Sequence, residues 1–232
     1  MAIFRLDKEL AFPDPAYAEK EGILAVGGDL STDRLILAYA NGIFPWYSEG
    51  SPILWWSPDP RMVLFPDDLK VSDSMRQLIR SGKYTCTFDR EFEKVIGHCA
   101  NVPRKDQKST WITRDLMRAF IRLHREGYAH SVETWYEGKL AGGLYGVSLG
   151  RAFFGESMFH VMRDASKFAL YTLVQQLRKW EFGIIDAQQE TQHMKSLGAI
   201  SISRNEFMNI LGETVPKPTK KGNWNQYLKH EG

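Results

Sequence analysis

The sequence predicts an α/β (α+β) protein in which a small N-terminal unit precedes a mixed β-sheet flanked by helices. Two observations carry this reading. The second half of the chain runs hairpin, strand, helix, strand, helix, strand, the order of a mixed sheet with one βαβ crossover. Near Pro60–Pro66 the short, Gly- and Pro-punctuated elements of the early chain give way to helices and strands of ordinary length. The expected units are therefore residues 1–61 and 62–232.

In the first unit, Gly27-Gly28-Asp29 marks a turn. Ser31 then caps a helix carrying Leu35, Leu37, Ala38 and Tyr39, with Gly42 at its C′ position. The stretch Gly42–Arg61 sets Trp46, Trp55 and Trp56 among Pro45, Pro52, Pro58 and Pro60. Proline fixes φ and removes a backbone donor, so this stretch is expected to be irregular and not a helix or central strand. Its rings either wall a ligand or pack onto the domain beneath.

Ser72 is positioned to cap a helix with Met75, Leu78 and Ile79 on one face, ended by Gly82. Phe92, Val95, Ile96 and Cys99 make a second helical pattern, and Asn101–Ser109 reads as an exposed basic loop. Thr113 caps a longer helix with Leu116, Phe120 and Leu123, closed by Gly127. His130–Trp135 and Leu140–Val147 flank the hairpin turn Tyr136-Glu137-Gly138-Lys139, and Arg151–Phe159 is a third strand. Asp164 opens a helix through Trp180, followed by the strand Gly183–Gln188, a short helix to Leu197-Gly198 and the strand Ala199–Ile202. Ser203 and Glu206 form a capping box for a helix ending at Gly212. The polar tail, with two prolines in its last twenty residues, is expected to lie over the surface.

A hydrophobic fraction of 43% and a charged fraction of 25% are those of an ordinary globular protein. No run approaches the roughly 20 apolar residues that span a bilayer, and the acidic, interrupted start does not read as a signal peptide. Two cysteines in so long a chain suggest a reduced, cytoplasmic protein. A net charge of +2 leaves nucleic-acid binding to local patches, of which Lys70–Arg90 and the tail from Lys217 are two.

Two strand ends carry unusual side chains. Glu156 stands inside Phe153-Phe154-Gly155-Glu156-Ser157-Met158-Phe159, where an acid must pair, shift its pKa or line a cavity. It serves either cation recognition and proton transfer or a structural salt bridge. Asp186 ends an Ile-Ile strand with Gln188 two residues on, which places both on one face. That pair either orients an amine or caps the next helix. Cys86, His98 and Cys99 lack zinc spacing, no H-E-x-x-H occurs and the other histidines are scattered, so no metal is expected. The absence of G-x-x-x-x-G-K-[ST] and G-x-G-x-x-G argues against ATP and dinucleotides, and no serine sits in a nucleophile elbow. No cofactor is expected.

In this order, Gly27-Gly28-Asp29-Leu30, Gly42-Ile-Phe-Pro-Trp46, Trp55-Trp-Ser-Pro-Asp-Pro-Arg61, Thr110-Trp-Ile-Thr113, Gly155-Glu-Ser-Met-Phe159 and Ile185-Asp186 with Gln188 resemble the leucyl/phenylalanyl-tRNA–protein transferases. The resemblance spans nearly the whole chain. It implies a small N-terminal domain joined to a Gcn5-related acetyltransferase-like domain. It also implies transfer of leucine or phenylalanine, with methionine a further candidate, from aminoacyl-tRNA to proteins with an N-terminal arginine or lysine, which are thereby marked for degradation. A cytoplasmic monomer that needs no cofactor or membrane is expected.

Carried over by motif, Trp46 and Trp111 would hold the terminal adenosine; the remaining tryptophans of the block, Trp55 and Trp56, are expected to pin the N-terminal domain onto the catalytic one. Leu144, Phe153, Met158 and Ile185 would line the side-chain pocket. Asp186, Gln188 and Glu156 would be catalytic, with Asp186 or the departing 3′-oxygen taking the amine's proton. Lys70, Arg76, Arg80 and Lys83 would contact tRNA. Here that cluster is interrupted by Asp73, Gln77 and Ser81, whereas the loop Asn101–Lys108 adds Arg104, Lys105 and Lys108.

The alternative is an acyl-CoA-dependent N-acetyltransferase on the same fold. It needs a glycine-bearing pyrophosphate loop, and the join Phe159–Lys167 has no glycine. A non-enzymatic RNA-binding module would leave Glu156 and Asp186 unexplained.

Overall fold

A computed structural model of the chain describes residues 3–101 and 112–229. The first elements are β1 (Phe4–Leu6), β2 (Ile23–Gly27), α1 (Thr32–Ala40), β3 (Phe44–Pro45) and β4 (Leu54–Trp56). Their strands form a four-stranded sheet in the order β1-β2-β4-β3, with β1 and β2 parallel. β4 lies inside this sheet, antiparallel to β2 and β3, so the tryptophan–proline stretch is not irregular throughout. The physical reason is where the prolines fall. Pro45 occupies the edge strand, and Pro52, Pro58 and Pro60 lie outside the strands, leaving Leu54-Trp55-Trp56 free to pair on both sides.

The next elements are β5 (Arg61–Leu64), α2 (Asp73–Arg80), β6 (Thr85–Phe88), α3 (Phe92–Ala100), α4 (Arg114–Arg125), β7 (Ala129–Tyr136), β8 (Lys139–Leu149), β9 (Ala152–His160) and α5 (Ala165–Lys179). They are followed by β10 (Ile184–Gln188), α6 (Gln192–Ser196), β11 (Ile200–Ile202), α7 (Arg204–Thr214) and α8 (Trp224–Lys229). A seven-stranded sheet runs β11-β5-β10-β9-β8-β7-β6. Only β9 and β10 are parallel, joined through α5 as the expected βαβ crossover. The β7–β8 turn places Glu137 at φ 48° and Gly138 at φ 73°, the two left-handed positions of a tight hairpin.

Two apolar layers cover the large sheet. One face packs against α1, α3 and α4, with Tyr39, Val95, Phe120 and Phe154 in a common core. The other packs against α5, with Phe153, Leu170, Leu173 and Ile185. Two sequence expectations are corrected. α7 continues past Gly212 to Thr214, because burial of Phe207, Leu211 and Thr214 outweighs the roughly 1 kcal/mol that an interior glycine costs. The tail does not lie wholly on the surface: α8 begins at Trp224, which is fully buried.

Candidate active site

The β9–β10 pairing ends at Phe154 opposite Asp186. Immediately beyond, both strands are irregular. β9 shifts register so that Gly155 and Ser157 face consecutive residues of β8, leaving Glu156 as the extra residue. β10 shifts between Asp186 and Gln188, and Gln188 adopts φ 62°. Such bulges re-aim side chains where a ladder opens, and here both turn polar groups toward one place.

Asp186 is fully buried and grips Arg61: Oδ1 accepts from Nε at 2.8 Å and Oδ2 from Nη2 at 2.6 Å. Oδ1 also accepts the backbone N–H of Gln188 at 2.8 Å. Arg61 donates its remaining terminal nitrogen to the Gly42 carbonyl at 3.0 Å and lies between the rings of Phe44 and Phe207. Glu156 Oε1 accepts from the Tyr39 hydroxyl and from Gln188 Nε2, each at 2.8 Å. Its Oε2 is buried and has no hydrogen-bond partner among the described residues.

Burial raises the Glu156 carboxyl to about 8, and the nearby Asp186 adds to this, while the bonds from Tyr39 and Gln188 and the charge of Arg61 oppose it. Burial also pushes the Tyr39 phenol well above its ordinary value. At neutral pH Glu156 is thus mostly an uncharged acid. With Oε1 accepting two bonds, its proton belongs on Oε2.

Glu156 and Asp186 border a cavity of about 300 Å³. Leu144, Phe153, Met158 and Ile185, all expected from sequence, line it. So do Leu170 and Leu173 of α5 and His193 and Met194 of α6, which sequence reasoning missed. The apolar periodicity of α5 signalled a buried face, but not that part of it faces a cavity. Tyr39 and Arg61 were also missed. Their only signals were a tyrosine on an amphipathic helix and an arginine at the end of the tryptophan–proline stretch.

Trp46 is half-buried but does not line this cavity; its ring lies 5.2 Å from that of Trp56. The indoles of Trp55 and Trp56 donate to the Gly27 and Trp46 carbonyls, bonds that stay within the N-terminal unit. Trp111 and the loop residues Arg104, Lys105 and Lys108 lie outside the described residues. Arg76, Arg80 and Lys83 are exposed on or beside α2, with Arg76 bonded to Asp73 at 2.9 Å. Lys70 faces elsewhere, into a separate cavity of about 270 Å³ shared with Lys167 and Tyr171. Among the described residues no cluster of metal-ligating side chains occurs, and no helix is long and apolar enough to cross a membrane.

The sequence profile of the leucyl/phenylalanyl-tRNA protein transferases matches residues 63–212, and that of their N-terminal domain matches residues 28–59. The chain is 55% identical to a leucyl/phenylalanyl-tRNA–protein transferase of Syntrophobacter fumaroxidans, over 97% of this chain and 96% of that one. It is also 55% identical to the protein of that name from Pseudomonas fluorescens, over 91% and 94%. A GCN5-related N-acetyltransferase from Kribbella flavida aligns with a TM-score of 0.39 at 10% identity, over 71% of this chain and 58% of that one. The class is that of the aminoacyltransferases. Within it, the chain belongs to the leucyl/phenylalanyl-tRNA protein transferase family.

Proposed function

We propose that the protein transfers leucine or phenylalanine from aminoacyl-tRNA to the N-terminal arginine or lysine of acceptor proteins, and that the product is directed to degradation in the cytoplasm. The observation that carries this reading is the apolar cavity of about 300 Å³ ending at Glu156. It suits an unbranched or γ-branched aminoacyl side chain, methionine included, with the ester at the polar end. Such a cavity separates similar shapes by only about 1–3 kcal/mol per methylene, which fits use of both leucine and phenylalanine.

The aminoacyl ester is already activated, so attack by an amine needs no ATP and no acyl-enzyme. The attacking nitrogen sheds its first proton to solvent on becoming an amine and its second as the new C–N bond forms and the ester C–O bond breaks. The departing 3′-oxygen takes one proton. Glu156, uncharged at neutral pH, supplies that proton and recovers one from the amine. Asp186, saturated by Arg61 and the Gln188 N–H, positions Gln188 and acts as no base. Gln188 in turn orients Glu156 and the incoming amine. Trp46 and Trp111 are the residues assigned to hold the terminal adenosine. Arg76, Arg80 and Lys83 hold acceptor-stem phosphates, and Lys70 contributes from its separate cavity. In this reading residues 1–61 and 62–232 are the two units of a monomer.

Incubation with radiolabelled leucyl-tRNA and an Arg-initiated peptide, without ATP or coenzyme A, tests the reading. Label in the peptide is expected; none would sink it.

A further inference from the structure

Trp224 of the C-terminal segment sits directly behind the cavity wall. Phe153 has one side on the cavity and lies 6.0 Å from the Trp224 ring on another. On a third side it presses on Gly146, where an added Cβ would come within 2.6 Å of the Phe153 ring. Gly146 and Trp224 thus both bound the Phe153 ring away from the cavity.

Trp224 is itself firmly held. His130 stacks on it at 3.8 Å and Trp180 meets it edge-on at 5.0 Å. Its backbone N–H donates to Asp89 Oδ2 at 2.7 Å, and its indole N–H donates to the Lys220 carbonyl at 2.9 Å. Asp89 also accepts from the Ser131 N–H and bonds His130 Nδ1, each at 2.9 Å, so the tail is tied to β7 through one carboxylate. Gly222 donates to the Gly127 carbonyl at 3.1 Å. A ring this well fixed sets where Phe153 can stand.

The geometry points to Trp224 as a positioning residue that sets the depth of the aminoacyl pocket through Phe153, so that the C-terminal segment tunes the choice between leucine and phenylalanine. This rests on the transferase reading above. A shorter side chain at 224 lets Phe153 fall back, deepens the cavity and favours the longer aromatic substrate.

The test is a competition. Native protein, Trp224→Phe and Trp224→Leu each receive leucyl- and phenylalanyl-tRNA in one tube with an Arg-initiated peptide. The product ratio then reports relative kcat/KM, and the folded fraction of each variant cancels. Trp224→Leu is expected to shift the ratio toward phenylalanine on the order of threefold to tenfold, with KM for the leucyl donor raised more than kcat falls. Trp224→Phe should shift it less, in the same direction. An unchanged ratio in Trp224→Phe overturns the inference, whether or not Trp224→Leu folds. No transfer by the native protein would instead overturn the function on which it rests.

Discussion

Burial holds a proton on Glu156 to about pH 8, whereas an unfolded chain releases it near the ordinary value of 4.5. Between those values the folded state binds one proton more than the unfolded state. This contribution to stability is therefore full below pH 4.5, declines as pH rises to about 8 and is level above. Glu156→Gln removes the titration, so its melting temperature should gain on that of the native protein steadily from about pH 5 to pH 8. A constant gap would show that Glu156 ionises like an exposed carboxyl. Asp186 behaves differently because its partner is a buried cation. Asp186→Asn leaves the Arg61 guanidinium without its charge partner and is expected to cost about 3–5 kcal/mol in denaturant unfolding. Its loss of transfer must therefore be measured well below the unfolding transition, since part of any loss is loss of fold.

The helices were legible in the sequence because their start signals are local. Ser31, Ser72, Thr113 and Ser203 each accept the backbone N–H three residues on, as their spacing predicted. The long strands were legible from their apolar runs. β5 was not, because it is a strand only by pairing with Ile185 and Ile202, far away in the chain. The tail misled for the same reason, since the burial of Trp224 depends on His130 and Trp180. In the site, Glu156 and Asp186 were visible as acids on apolar strands. Their partners Tyr39 and Arg61 stand 117 and 125 positions away, and nothing local announces either contact. α2 carries a prediction of its own. Arg80 is exposed, whereas Lys83 lies over the rings of Tyr84 and Tyr136 at 5.2 and 5.4 Å. Neutralising Arg80 should leave the melting temperature unchanged, raise KM for tRNA and flatten the dependence of log K on log salt by about 0.7–0.9 per lost phosphate contact. Transfer from a minimal aminoacyl-adenosine should be unaffected; equal losses with both donors would remove α2 from the tRNA path.

The two sheets of the molecule meet at the site. α1 of the first reaches Glu156 through Tyr39, and the Gly42 carbonyl that follows α1 takes a bond from Arg61 of the second. The Tyr39 ring also packs 5.2 Å from Phe154, on the core face of β9. The N-terminal unit thus supplies one of the two donors to Glu156 Oε1. Because that bond favours the ionised carboxylate, its loss must strengthen proton binding. Tyr39→Phe keeps the ring and removes only the hydroxyl. It should cost about 1 kcal/mol of stability and move the alkaline edge of kcat/KM, where Glu156 loses its proton, to higher pH. In the proposed mechanism the rising limb reports the acceptor amine and should not move, which provides an internal reference in the same profile from about pH 6 to pH 10. An alkaline edge that stays in place would mean that the proton lost there is not carried by Glu156, and that the contact between the units is structural alone.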